Sequence, residues 1–164
     1  MPVDLGSRTP PLPNGSGPSA AACRRGYWRA VLRENMETVR LAFEAWNRDD
    51  LEGVLALVHP DAVFKVPDGL FLGIEGEFHG HTGVRQYWQA NKEPWQYYKS
   101  HIERTLEAGD IIVLGVRLEG VGKESGVHVE LPFANVFEVA DGLITKLVTY
   151  PSFEAALEAV GLRE

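Results

Sequence analysis

SGVHVELPFANVFEVADGLITKLVTYPSFEAALEAVGL, residues 125–162, holds three readable elements in succession. Val127 to Val139 is rich in β-branched and aromatic residues at a period of two, the pattern of a strand with one buried face. Asp141-Gly142 supplies the chemistry of a two-residue hairpin turn, and Leu143 to Tyr150 resumes the strand pattern. Phe153 to Val160 changes to helical spacing, which Gly161 ends. Alternation places Phe133, Asn135 and Phe137 on one face, and the returning strand offers Leu147 and Thr149 to the same interior. Asn135 is then a polar group in an apolar lining, bonded to a neighbour, to a buried water or to a ligand. Tyr150 has the opposite parity and is expected to anchor the last helix or an interface.

Upstream, Ile111 to Gly120 and Tyr97 to Leu106 read as two further strands, with Ala-Gly-Asp between them and a Gly/Lys/Ser stretch before Val127. Four antiparallel strands in a meander follow. Ahead of them Thr82 is the expected cap of a helix that carries Val84, Tyr87, Trp88 and Asn91 on its inner face and ends near Pro94. Phe71 to Gly80 is Gly-rich and reads as a loop. Ala62 to Val66 reads as a short strand between His59-Pro60-Asp61 and Pro67-Asp68-Gly69. Two helices come first. Met36, Val39, Phe43 and Trp46 step by three and four along one face. After Asn47 to Asp50, the pair Asp49 and Glu52 has the form of a capping box for a helix through Leu51, Val54, Leu55 and Val58.

The totals fit one soluble globular domain: 164 residues, 45% hydrophobic and 24% charged. The longest apolar runs, such as IIVLGV at 111–116, are too short for a membrane span. Residues 2–18 are rich in Pro and Gly and poor in branched apolar side chains, so 1–33 is expected to be a disordered or loosely attached extension and 34–164 the folded domain. A single cysteine, Cys23, lies in that extension, which fits a reducing cytoplasm. The stretch before it has no apolar core of the kind an export signal needs. The extension carries Arg8, Arg24, Arg25, Arg29 and Arg33 against Asp4, leaving the rest strongly acidic, with eleven basic and twenty-two acidic side chains. Such a surface argues against a nucleic-acid groove, whose affinity comes from neutralising phosphates. The sequence has no phosphate-binding Gly-rich loop, no nucleophile elbow and no repeated Cys/His spacing, so a cofactor-free, metal-free protein is the expectation.

Three pieces together, AWNRDDLEGVLALVHPDAVF at 45–64, HGHTGVRQYW at 79–88 and the C-terminal stretch quoted above, resemble the SnoaL-like proteins of the nuclear transport factor 2-like, ketosteroid isomerase-like superfamily. The likeness spans Glu34 to Glu164. It implies an α+β cone, a curved, mostly antiparallel mixed sheet packed on three helices with a short C-terminal helix (a cystatin-like α+β barrel). It also implies a pocket at the wide end, and often a homodimer through the outer sheet face. Members include isomerases, cyclases, epoxide hydrolases and dehydratases as well as non-catalytic binding proteins, so the fold does not name the function.

Where ketosteroid isomerases place a general-base Asp, this chain has Val66 before Pro67; where they place a Tyr donor on the first helix, it has Ala42. The third position, a protonated Asp that donates to an oxyanion, is matched by Asn135, whose amide is also a donor and hence a candidate oxyanion donor. The expected pocket for a small apolar or ring-containing molecule comprises Trp46, Phe64, Val66, Trp88, Arg117, Phe133, Asn135, Leu147 and Thr149. Arg117 sits in an otherwise apolar strand and must reach solvent, pair with a carboxylate or meet an anionic ligand. His79 and His81 form an H-x-H pair without further ligands at metal spacing. His128 and Glu130 fall on the face opposite Asn135 unless a bulge at Pro132 shifts them. An isomerase, cyclase or hydratase without an evident base, and a binding protein or dimeric scaffold without chemistry, remain the two readings.

Overall fold

A computed structural model describes residues 34–71 and 73–163. The expected extension, with Cys23 and the arginine cluster, lies outside the described residues. In chain order the elements are α1 (34–47), α2 (Leu51–Leu55), β1 (Val58–Phe71), β2 (Ile74–His79), α3 (Gly80–Lys92), β3 (Trp95–Ala108), β4 (Ile111–Gly122), β5 (His128–Ala140), β6 (Leu143–Tyr150) and α4 (Phe153–Val160). The fold is α+β, a curved six-stranded sheet in the order β2-β1-β6-β5-β4-β3. β1 runs parallel to β6 and the other neighbours are antiparallel. The edge strands β2 and β3 do not pair, so the cone stays open.

Strand parity divides the core in two. Even positions of β4 and odd positions of β5 face α1 and α3, where Ile112, Leu114, Leu118, Phe133 and Phe137 join Val39 and Ala45 of α1 and Val84 of α3. The other parity of the same strands, Val113, Ala134 and Val136, packs under α4 with Phe153, Ala156 and Leu157, and Tyr150 adds to this second cluster. Burial of these side chains from water supplies the main stabilisation of both layers. The β5–β6 hairpin turns through Asp141 (φ 53°) and Gly142 (φ 74°), the left-handed pair that a tight hairpin requires.

Five local expectations are corrected, the cap of α2, its end, the length of β1, the loop after Phe71 and the start of α3. Asp50, not Asp49, caps α2, its side chain accepting from the Gly53 backbone N–H, while Asp49 takes a left-handed turn conformation (φ 59°). Helix α2 ends at Leu55, and β1 then runs from Val58 straight through Pro60 and Pro67, the two prolines expected to bound a shorter strand. Both prolines fall where the ladder slips, between Val58 and Val63 against β6 and between Val66 and Phe71 against β2, so no regular ladder bond is lost. The Gly-rich stretch after Phe71 is strand β2, pairing from Val63↔His79 to Phe71↔Ile74, and α3 starts at Gly80 with His79 as a cap whose side chain makes no bond to the helix end, rather than at Thr82.

One side chain closes the open edge at β3. Asn47, at the end of α1, donates to the Ser100 carbonyl (2.9 Å) and accepts from the Ser100 N–H (2.9 Å), standing in for the missing neighbouring strand. Thr38 Oγ1 donates to the Gly142 carbonyl (3.3 Å) at the other end of α1. The helix is thereby pinned across the concave face, above the space described next.

Candidate functional site

Between α1, α3 and the concave sheet lies a cavity of about 400 Å³. That volume falls near the lower end of the roughly 300–1,000 Å³ usual for small-molecule sites. Its walls are mainly apolar and aromatic. Six of the residues read from the sequence line it: Trp46, Phe64, Phe133, Asn135, Leu147 and Thr149. Three do not, and each has a physical reason. Val66 shares the inner side of β1 with Phe64 and is buried in the core, but the longer Phe64 side chain is the one that reaches the cavity. On α3 it is Tyr87 that points inward. Trp88 stands behind Trp46, ring centroids 4.9 Å apart. Arg117 lies on the opposite face of β4, where Nε donates to Glu103 (2.7 Å) and Nη1 to Glu130 (3.2 Å). Its odd position in β4 puts it outside, in register with Pro132.

Sequence reasoning did not assign Tyr87, Asn91, Trp95, Tyr98, Ser100, Leu131 or Phe71 to the lining. Tyr98 and Ser100 have the inward parity of β3, but only the β3–β4 register, Tyr98↔Gly120 and Ser100↔Leu118, shows which parity that is. The signal available in advance was the helical spacing that already put Tyr87 and Asn91 on the inner face of α3.

The polar groups of the lining are few and bonded to one another. Thr149 Oγ1 donates to Asn135 Oδ1 (3.0 Å), on residues paired directly across β5 and β6. With its oxygen so engaged, the Asn135 carboxamide has its NH₂ left to give. Burial pushes the Tyr87 phenol well above its ordinary value, reinforced by Tyr98 and opposed by hydrogen bonds with Thr149 and Asn91. Burial likewise raises the Tyr98 phenol, against hydrogen bonds with Ser100 and Trp46; Ser100 Oγ donates to the Tyr98 oxygen at 3.3 Å. Both phenols therefore stay protonated and uncharged at neutral pH. Among the described residues lining the cavity there is no carboxylate, histidine, lysine or arginine. The positions that the resemblance gives to a base and to a helix-borne tyrosine hold Val66 and Ala42, and Ala42 is part of the wall.

One cation supports that wall from behind. Lys92 Nζ donates to the Trp46 carbonyl (2.7 Å) and pairs with Asp49 (2.9 Å), and it lies over the rings of Trp46, Trp88 and Tyr98 at 5.1, 4.8 and 4.6 Å. An ammonium at the C-terminal end of α1 meets the negative end of the helix dipole as well as three aromatic faces. Burial lowers its pKa while Asp49 opposes the shift. Trp46 and Tyr98 are thus fixed in place by a group that does not itself reach the cavity.

The histidines stand apart from this site. His81 Nε2 is 2.8 Å from the Val58 carbonyl and ties α3 to β1, while His79 pairs with Glu77 (3.0 Å). His128 and Glu130 lie on the outer face, His128 beside Glu119 (3.6 Å). Among the described residues no cluster of three His, Cys, Asp or Glu side chains has metal-binding geometry. No described helix is long and apolar enough to cross a membrane.

Comparison with known proteins gives a consistent picture. Residues 39–147 match the family described as SnoaL-like domain. No curated protein matches the chain. Among solved structures, an NTF2-like protein of unknown function from Burkholderia pseudomallei is 27% identical, with 76% of this chain and 95% of that one aligned at a TM-score of 0.66. TerC, co-crystallized with polyporic acid, is 22% identical over 78% of this chain and 98% of its own, also at 0.66. A hypothetical protein with a ketosteroid isomerase-like fold from Catenulispora acidiphila, in complex with trimethylamine, is 18% identical over 77% and 94%, at 0.62. At 22% and 18% identity the last two are likenesses of fold.

Proposed function

This chain belongs to the SnoaL-like domain family, and from that premise we propose that it binds a small, uncharged, ring-containing molecule, held with a hydrogen-bond acceptor against Asn135. One observation carries the reading: the 400 Å³ cavity is mainly apolar, and the polar groups among its described lining residues, Asn135 and Thr149 at their centre, are all uncharged. An anionic ligand would lie there without a cation to offset its desolvation, and a cationic one without a carboxylate. A neutral carbonyl or ether oxygen can accept from the Asn135 amide or a tyrosine hydroxyl, while flat apolar rings fill the space bounded by Trp46, Phe64, Phe133 and Leu147.

Binding is favoured over turnover because the described residues lining the cavity include no carboxylate, histidine or lysine to serve as a base. A second reading, a cofactor-free isomerase, cyclase or hydratase, draws support from the same donors, which could stabilise an oxyanion developing on the substrate. Titration of fluorenone into the protein, followed by tryptophan emission and calorimetry, tests the first reading. Saturable binding is expected, weakened about tenfold or more in Asn135→Leu, since a donor to a buried acceptor is worth about 1.5 kcal/mol. Equal affinity in the two proteins removes Asn135 from the site. Turnover of enones or epoxides that vanishes in the same variant would favour the second reading.

A further inference from the structure

The mouth of the cavity is made of lining residues that reach solvent: Pro94 and Leu131 are exposed, and Leu70, Phe71 and Trp95 are partly so. Phe71, near the tip of the β1–β2 hairpin, crosses to Phe133 of β5 with ring centroids 5.5 Å apart and perpendicular planes (90°). Trp95 begins β3, and its ring lies over β4 at Gly120. A Cβ placed on Gly120 would stand 2.6 Å from Trp95 Cε3, 2.9 Å from Trp95 Cζ3 and 3.1 Å from the Tyr97 carbonyl oxygen. Carbon atoms do not approach so closely, so any side chain at position 120 must displace the indole. Gly120 is not among the glycines with positive φ, so its backbone would accept another residue. A glycine inside a strand is otherwise unfavourable, and one here marks a close approach. The approaching group is Trp95.

We propose that Gly120 is a specificity-determining position: by leaving room for the Trp95 indole against β4, it sets the largest ring system the mouth admits. This rests on the reading that the cavity takes a ring-containing molecule. Strand β4 backs the indole on one side and the Tyr98 ring stands 6.1 Å away, so a side chain at 120 drives the indole off the sheet and into the opening. Small ligands still pass. Broad ones do not, because a mismatch of about one carbon in an apolar site changes affinity by roughly 10- to 200-fold.

The test measures dissociation constants of indanone, fluorenone and benzanthrone, neutral ketones of increasing width, for the unsubstituted protein and for Gly120→Ala, Trp95→Ala and the double variant. Gly120→Ala should keep indanone binding and lose at least about tenfold in affinity for the widest ketone the parent protein holds. Adding Trp95→Ala should restore it. A loss equal across the three ketones, a gain for the widest, or a double variant no better than Gly120→Ala overturns the proposal. Should Gly120→Ala not fold, Trp95→Ala alone decides: removal of the indole must shift preference toward benzanthrone by about tenfold, and an unchanged ranking overturns the assignment. Absence of binding of all three ketones to the parent protein sinks the container reading itself, and this proposal with it, whereas binding without the size effect sinks this proposal alone.

Discussion

Strands β4 and β5 present two faces made from alternate residues of the same chain, and the faces handle polar groups in opposite ways. On the outer face charges are numerous and paired: Arg117 with Glu103 and Glu130, and Glu119 with His101 (3.0 Å) and His128 (3.6 Å). On the inner face polar groups are few, uncharged and bonded to one another, as in Thr149 to Asn135 and Ser100 to Tyr98. Water shares the cost of charge outside, where side chains remain one-third to one-half exposed. Inside, a charged side chain would be buried and would need a partner that none of the described lining residues provides. The same sheet therefore carries paired, solvated charges where α4 leaves its outer face uncovered and a charge-free cavity wall on the other side.

The most severe way to break this contrast is to exchange the chemistry of adjacent residues. Leu118 lies in the inner cluster and lines the cavity, whereas Glu119, one residue on, faces outward to His101 and His128. Leu118→Glu buries a carboxylate without a partner and should cost about 3 kcal/mol or more in urea unfolding. Glu119→Leu should leave the unfolding midpoint close to that of the parent protein. Similar losses for the two variants would show that the faces are not as distinct as their parity makes them.

Much of that parity was legible in advance. The alternation through Phe133, Asn135 and Phe137 and the Asp141-Gly142 turn mark β5 and β6 as a hairpin, but the turn alone would set Val148 opposite Asn135, and it is the slip of the ladder between Glu138 and Val139 that brings Thr149 there. Arg117 was not legible, since its face depends on how β4 pairs with β5 across the looser 123–127 connection. Strand β1 was read too short because two prolines look like breaks until the neighbouring ladders are seen to slip at both. Strand β2 was read as a loop because it is an edge strand whose inward apolar residues, Ile74 and Phe78, are separated by the charged and glycine residues Glu75, Gly76 and Glu77. The polar part of the lining is half legible, as Asn135 and Thr149 come from one hairpin, whereas Tyr87 and Tyr98 reach the cavity from elements far apart in sequence.

The buried phenols sharpen the contrast through pH. Tyr87 and Tyr98 both have folded-state pKa values raised above the ordinary 10.0, burial being the largest cause for each. A raised value means that the folded state retains a proton the unfolded chain gives up. Their contribution to stability is therefore complete below pH 10 and is lost as pH rises above it. Unfolding measured by urea across the alkaline range should show stability falling beyond pH 10, with a shallower fall in Tyr87→Phe. Tyr97 is exposed, so Tyr97→Phe serves as the comparison. An identical slope in all three proteins would mean that the inner phenols are not sequestered from solvent.

The smallest expected effect is on the outer face, at the residue whose place the sequence left open. Arg117 is held between Glu103 and Glu130, and its pKa is raised chiefly by the hydrogen bond to Glu103. Exposed pairs of this kind contribute little because both partners are well solvated when apart. Arg117→Leu should leave ketone affinity unchanged, since the guanidinium lies across the sheet from the cavity. It does, however, leave Glu103, Glu119 and Glu130 facing one another without the cation between them, on a domain that is already acidic. A slight loss of stability at low ionic strength, vanishing as salt screens the three carboxylates, is the expected result. A ketone affinity that fell with Arg117 while stability held would place this arginine in the binding machinery after all and join the two faces that the strand parity separates.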